Sequence, residues 1–197
     1  CEEDVVIYVI SRISGEGKDR RKVKGDYYLS EREEEDLRYL AEMNKPVILI
    51  LNAGGPVELT DILEQTDNIK GILNISQLGQ EGGDALADVL LGKEVPGGKL
   101  TTTWARRYED YPASEEYGYL NGNLEKEKYK EGIYVGYRYF DSFDKKVMFP
   151  FGFGLSYTTF EMKCCSINME ESKIRAEVQV TNTGNEYAGK EVVQIYV

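Results

Sequence analysis

The sequence contains no histidine in its 197 residues. Without an imidazole the chain has no Ser-His-Asp or Cys-His relay, and it lacks the commonest ligand of protein zinc and iron sites. Proton transfer in any catalytic reaction would therefore fall to carboxylates. We expect neither a metal site nor a bound cofactor.

Cysteine is scarce as well, with three residues, Cys1, Cys164 and Cys165. Their spacing matches no metal site, and the side chains of the adjacent pair would point to opposite faces of a strand. We interpret all three as free thiols, which favours a reducing, cytoplasmic compartment.

Positive charge and long apolar runs are the other shortages. The formal net charge is -11, whereas a nucleic-acid partner requires clustered Lys and Arg. No apolar run reaches the roughly 18 residues of a membrane span, and no basic-then-apolar leader opens the chain. We therefore expect no nucleic-acid partner and no membrane partner, and a neutral substrate suits the charge better.

Apolar runs alternate with helical patterns over the first 92 residues. Three runs are predicted as parallel strands, Val5–Ile10, Val47–Leu51 and Gly71–Ile75. Three segments are predicted as helices, residues 31–43, 59–64 and 80–91. The first helix begins at a capping box, Ser30 to Glu33, and Gly92 caps the last. These patterns predict a mostly parallel sheet flanked by helices, with the first strand covered on both faces.

The loops that follow parallel strands open on one edge of a sheet, where α/β proteins place their ligands. We therefore expect Glu16, Asn52 and Glu81 on one rim. Glu16 stands between two glycines directly after the first strand, so it is presented to a ligand. A dinucleotide site is the rival interpretation, but no loop carries Gly-x-Gly-x-x-Gly, and Arg12 stands where a phosphate-binding loop needs glycine.

The pattern changes to β structure in the last third of the chain. A Thr-rich strand is predicted within residues 96–104, and residues 105–131 are polar, tyrosine-rich and loop-like. Three more strands are predicted near residues 161–169, 173–181 and 190–197.

Four motifs resemble, in this order, the carboxyl-terminal α/β domain of family 3 glycoside hydrolases. They are SGEGKDR at residues 14–20, GQEGG at 79–83, YKEGIYVGYRYF at 129–140 and FPFGFGLSY at 149–157. The resemblance implies an α/β sandwich domain with a truncated start over residues 1–157. It also implies the beginning of a fibronectin type III-like domain, an incomplete antiparallel β-sandwich, over residues 158–197, because three strands cannot close a sandwich of about seven.

The resemblance further implies part of a retaining, exo-acting β-glycosidase, most often a β-glucosidase, that acts on terminal β-linked glycosides. In that family the nucleophile is an Asp on a (β/α)8 barrel, which nothing in this chain resembles. The barrel of the same enzyme would be a partner, and this chain alone is expected to be inactive.

Glu16 matches the acid/base glutamate of the family subgroups that carry Ser-Gly-Glu-Gly. Glu81, the alternative, is predicted to open a helix, where the helix dipole favours the ionised carboxylate. Asp19 and Arg20 are predicted to pair with each other and brace the loop, and together with Tyr27 they are the candidate substrate-binding residues.

Two alternatives stay open at this point. The chain could be a non-catalytic carbohydrate-binding or protein-interaction module, although a pure binding module needs no proton donor. A homo-oligomer is the second open possibility, since an unfinished strand edge can pair with another copy.

Overall fold

The structure of the chain is a computed structural model that describes residues 4–13, 19–115, 125–126 and 128–196. The chain divides into two units, each formed by two segments. The first unit comprises Cys1–Gln80 and Thr102–Pro150, and the second comprises Glu81–Thr101 and Phe151–Val197.

A three-stranded parallel sheet lies in the first unit. Its strands are β1 (Val6–Ser11), β2 (Val47–Asn52) and β3 (Ile69–Asn74), in the spatial order β1-β2-β3. Val6 lies opposite Val47, and the register continues without a shift to Ser11 opposite Asn52. The predicted parallel sheet with helices is thereby confirmed, and the strands end at one common edge.

The two faces of the sheet are covered unequally. In the central strand β2, Leu49, Ile50 and Leu51 are all 0% exposed. In β1, however, Ile7 and Val9 are each 52% exposed. The expectation that β1 is covered on both faces is therefore wrong for the described part of the chain, because a continuous apolar run does not reveal which face receives a neighbour.

The helix α1 (Glu31–Glu42) follows β1 and begins where the sequence predicts. The Ser30 hydroxyl accepts the Glu33 N–H at 3.2 Å, and the Glu33 carboxylate accepts the Ser30 N–H at 2.7 Å, which completes the capping box. Leu37 is buried at 2% exposure. On the sheet side, the Tyr8 hydroxyl donates to Asp36 of this helix at 3.1 Å.

The other elements of the first unit are short. They are α2 (Thr60–Gln65), β4 (Trp104–Ala105), a 3-10 helix (Tyr108–Asp110), α4 (Tyr137–Ser142) and β5 (Val147–Phe149). Strands β4 and β5 pair antiparallel, with Trp104 opposite Phe149. Around α4 the aromatic rings pack against each other, with Phe140 2% exposed and the Tyr134 and Phe143 ring centroids 5.0 Å apart.

The second unit contains α3 (Gly82–Leu90) and the antiparallel hairpin of β6 (Phe160–Glu170) and β7 (Lys173–Asn182). Gly92 ends α3 as predicted, because its φ of 72° suits the left-handed turn after a helix. Ala85 of α3 is exposed, and no residue of this helix is buried in the described chain.

The strand predicted near residues 190–197 does not form among residues 190–196, the part of it that the structure describes. A strand requires a neighbour with free backbone groups, whereas this segment is held through its side chains. Lys99 pairs with Glu191 at 2.9 Å, and the Gln194 amide donates to the Gly152 carbonyl at 3.3 Å. None of the helices among the described residues is long and apolar enough to cross a bilayer.

Amide exchange should separate the central strand from the hairpin. We expect the amides of β2 to be protected longest, because β2 is paired on both edges and its core side chains are 0–1% exposed. The hairpin of β6 and β7 should exchange faster, since each strand has one partner and Met169 is 81% exposed. Mass-spectrometric exchange on dilute monomer tests this, and equal protection of both regions would contradict it.

Candidate functional site

The carboxyl-terminal edge of the parallel sheet carries polar side chains at the end of each strand. The Arg12 N–H donates to the Asn52 carbonyl at 2.9 Å, and the Asn52 amide reaches the Ser11 hydroxyl at 3.5 Å. Asn74 ends β3, where its side-chain oxygen accepts the Ser76 N–H at 3.4 Å. This edge holds Asn52 as predicted.

Of the two glutamates predicted on this edge, Glu81 lies among the described residues and Glu16 does not. Glu16 belongs to residues 14–18, outside the described residues, so its role stays a prediction. Glu81 lies in the second unit at the start of α3, as predicted, and its side chain makes no capping hydrogen bond. What the structure describes are the two flanks of the Glu16 segment, which end at Ile13 and begin again at Asp19.

Arg12, on the first flank, is a buried arginine with four acceptors. Its guanidinium forms a bidentate ion pair with Glu33, with nitrogen to oxygen distances of 2.8 and 2.7 Å. Its Nε donates to the Asp26 carbonyl at 2.7 Å, and further bonds reach the carbonyls of Ser11 and Tyr28 at 2.8 and 3.2 Å. The side chains of Arg12 and Glu33 are 5% and 15% exposed. Arg12 therefore ties the end of β1 to the start of α1.

The sequence pattern predicted no role for Arg12 beyond its mismatch with a phosphate-binding loop. A signal was available, since an arginine directly after a buried strand needs a carboxylate, and Glu33 already stood in the capping box. Burial raises the pKa of the Glu33 carboxyl, but the hydrogen bonds from Arg12 and Ser30 outweigh burial and hold that pKa below its ordinary value.

Arg20, on the second flank, pairs with Asp26. Its Nε donates to Asp26 Oδ1 at 2.9 Å and its Nη1 to the Pro56 carbonyl at 2.6 Å, while its Nη2 donates to the Asp26 carbonyl. Burial raises the pKa of Asp26, yet the Arg21 N–H and Arg20 lower it further than burial raises it. The ion pair that the structure shows for Arg20 is with Asp26. The predicted pairing of Asp19 with Arg20 stays a prediction.

Tyr27 is packed into an aromatic cluster. It is 8% exposed, and its ring meets Tyr28 and Tyr108 edge-on at centroid distances of 5.5 and 5.0 Å. Arg20 lies 5.9 Å from the centroid of the same ring. Burial raises the pKa of the Tyr27 hydroxyl, so Tyr27 stays protonated at neutral pH. The sugar contact predicted for Tyr27, Asp19 and Arg20 stays a prediction.

Glu58 is an acidic residue of this region that sequence reasoning missed. Its carboxylate accepts the Tyr108 N–H at 2.8 Å and lies 3.5 Å from Arg107, and its side chain is 10% exposed. Burial raises the pKa of this carboxyl. Because these contacts occupy the carboxylate, Glu58 joins the loop after β2 to the 3-10 helix. Within the described ranges, no group of three or more Cys, Asp or Glu side chains could hold a metal ion.

Comparisons with known proteins agree on one family. The family model described as the glycosyl hydrolase family 3 C-terminal domain matches residues 1–137. The chain is similar to beta-glucosidase A of Butyrivibrio fibrisolvens, with 39% identity over 98% of this chain and 28% of that protein. It is also similar to a beta-glucosidase of Kluyveromyces marxianus, with 39% identity over 92% of this chain and 20% of that protein. The chain thus spans about a quarter of the length of these relatives.

A solved structure shares the fold. The structure of beta-glucosidase 3B from Thermotoga neapolitana in complex with alpha-D-glucose matches with a TM-score of 0.84 and 45% sequence identity. The match covers 93% of this chain and 26% of that one.

The stability of the Arg12–Glu33 pair should depend on pH. The pKa of Glu33 is lowered in the folded chain, so the carboxylate stabilises the fold above its unfolded-state value of about 4.3, and this stabilisation is lost as the pH falls through the lowered value. We expect Glu33→Gln to cost about 2 kcal/mol of unfolding free energy at pH 7. This lies below the usual range for a broken buried pair because the carboxylate keeps some exposure.

Urea unfolding of the 197-residue chain at pH 7 and near pH 3 measures this difference. The matched control is Glu35→Gln, an exposed glutamate of the same helix, which should change the unfolding free energy by less than about 0.5 kcal/mol. Equal losses in the two variants, or a Glu33→Gln loss that does not shrink in acid, would contradict the role of the pair.

Proposed function

Because the chain belongs to the glycosyl hydrolase family 3 C-terminal domain family, we propose that it is part of a retaining, exo-acting β-glucosidase. Such an enzyme hydrolyses terminal, non-reducing β-D-glycosyl residues. The observation that carries the proposal is the match of 92–98% of this chain to proteins named beta-glucosidase, together with a solved relative that is complexed with glucose.

The proposed reaction uses two carboxylates about 5 to 5.5 Å apart. One attacks the anomeric carbon while the other donates its proton to the leaving oxygen, and the bond between the sugar and its leaving group breaks. The second carboxylate, now a base, takes a proton from water, which attacks the anomeric carbon and frees the first carboxylate. We assign the proton donor to Glu16 and the nucleophile to an Asp on a (β/α)8 barrel of the same enzyme.

The choice of Glu16 over Glu81 follows from the chemistry required of a general acid. The donor must hold a proton before cleavage, so its carboxyl needs a raised pKa. Glu81 is the N-cap residue of α3, so its position is accounted for by the helix start. Glu16 lies between two glycines in the sequence.

Substrate contacts are proposed for Asp19, Arg20 and Tyr27. All three stand within the same short stretch after the Glu16 segment, and Arg20 and Tyr27 are held in fixed positions by their contacts. A neutral sugar suits a chain with a net charge of -11, because it meets no charge repulsion. The competing class, a carbohydrate-binding or interaction module, would use such contacts without any proton transfer.

The isolated chain should hydrolyse no aryl β-glycoside above background. The covalent step needs the nucleophile, and losing one of two cooperating carboxylates removes that step. Release of nitrophenol by the purified 197-residue chain measures the activity. Steady turnover by a preparation free of contaminating glycosidase would overturn the assignment of the nucleophile to another domain.

The Glu16→Ala variant of the full-length enzyme should reveal the proton donor. Turnover of substrates with poor leaving groups should fall by roughly 10² to 10⁴, the usual contribution of positioned proton transfer. Activated aryl glycosides should form the glycosyl-enzyme almost normally and then stall, because no base activates water. Azide needs no base, so it should attack the anomeric carbon, displace the enzyme carboxylate and yield a β-glycosyl azide.

The matched control is Glu81→Ala, which changes the residue at the start of α3 and leaves the proposed proton donor in place. It should show neither a dependence on the leaving group nor rescue by azide. Rescue confined to Glu81→Ala would mean that Glu81 is the acid/base. A full-length protein that binds sugar, turns over no substrate and does not respond to either substitution would favour the binding-module alternative.

A further inference from the structure

Two arginines that flank the Glu16 segment converge on a single backbone oxygen. Arg12 Nε donates to the Asp26 carbonyl at 2.7 Å, and Arg20 Nη2 donates to the same oxygen. The seven residues between these arginines in the sequence include Glu16. We call Arg12, Arg20 and the Asp26 carbonyl the arginine clamp.

Each arginine of the clamp is anchored separately. Arg12 is held by the Glu33 carboxylate at the start of α1, and Arg20 is held by Asp26 Oδ1 and by the Pro56 carbonyl in the loop after β2. The arginine side chains are only 5% and 15% exposed, so water competes weakly for their hydrogen bonds. The clamp thus fixes both flanks to elements that the core holds in place.

The charge pattern of the clamp favours a positioning role. Two guanidinium groups that share one acceptor repel each other, and burying them costs free energy unless each has its own anion. The chain provides one carboxylate for each, Glu33 for Arg12 and Asp26 for Arg20. The planar fork of arginine is also needed here, because a lysine nitrogen cannot bond acceptors that lie along two edges of a plane.

We propose that Arg12 and Arg20 are positioning residues that set the distance between the two ends of the Glu16 segment and so hold the proton donor in place for the leaving group. This inference rests on the proposed function, in which Glu16 is the acid/base. A shift of about 1 Å in a catalytic group can cost up to about 10²-fold in rate. Loosening the clamp therefore acts on proton transfer and leaves the attack of the nucleophile largely unchanged.

The test compares two arginine substitutions in the full-length enzyme. Arg20→Met removes the fork and its charge, and Arg107→Met is the matched control, because Arg107 also pairs with carboxylates of the first unit, Asp61 and Glu58, but has no bond to Asp26. For each variant, kcat and KM are measured on an aryl glycoside with a strong leaving group and on an alkyl glycoside with a weak one, together with the melting temperature.

We expect Arg20→Met to lower kcat/KM, which reports formation of the glycosyl-enzyme, by roughly 10-fold to 10²-fold on the weak leaving group and by less than about 3-fold on the strong one. Arg20→Lys, which keeps the charge without the fork, should fall between Arg20→Met and the unchanged enzyme. Arg107→Met should lower kcat/KM equally on both substrates, in proportion to any loss of melting temperature. An equal loss of kcat/KM on both substrates in Arg20→Met, which a direct sugar contact of Arg20 would give, would overturn the positioning role.

Two further variants keep the outcome decisive. If Arg20→Met does not fold, Asp26→Asn removes the ionic partner of Arg20 while the backbone carbonyl stays, and the same leaving-group dependence is expected in a weaker form.

Glu16→Ala separates the two proposals. If Glu16→Ala lacks leaving-group dependence and azide rescue, the proposed function fails. If Glu16→Ala shows leaving-group dependence and azide rescue, and the Arg20 and Asp26 variants show neither, the clamp proposal fails and the proposed function stands.

Discussion

The ion pair between Arg12 and Glu33 is the interaction on which the carboxyl-terminal edge of the sheet depends. The Glu33 carboxylate completes the capping box that begins α1, and it also holds the guanidinium that follows β1. One side chain therefore fixes the start of a helix and the end of a strand at the same time. Through Arg12, the carbonyls of Asp26 and Tyr28 are held as well, so the loop after the Glu16 segment is attached to the core. Because the pair is buried, its loss would leave an uncompensated charge in the interior.

Much of the fold follows from signals that are local in the sequence. Continuous apolar runs predicted the three parallel strands, and a pattern of four residues predicted the start of α1 at Ser30. Gly92 marked the end of α3 because few other residues accept its positive φ. These features depend on neighbours within one turn of helix or one strand, so a single sequence contains the information that they need. The family resemblance rests on motifs of the same local kind, and the family model and the relatives bear it out.

The features that the sequence left open depend on contacts between distant residues. Asp26 reaches Arg20 because the chain folds back between them, where Gly25 has a φ of 79° and its N–H donates to the Tyr28 carbonyl at 3.0 Å. Glu58 was missed for the same reason, since its partner Tyr108 stands 50 residues later. Which face of β1 is covered depends likewise on elements that pack from elsewhere.

The pKa directions of three described carboxylates indicate which groups support this region. Asp26 and Glu33 each face an arginine that lowers their pKa, so at neutral pH they are ionised and cannot donate a proton. Glu58 has a raised pKa, but its oxygens are occupied by the Tyr108 N–H and by Arg107. A general acid needs a raised pKa, as Glu58 has, and it also needs oxygens that can reach the substrate, which none of these three carboxylates has. The proposed donor, Glu16, stands in the sequence between Arg12 and Arg20, the two arginines that pair with Glu33 and Asp26.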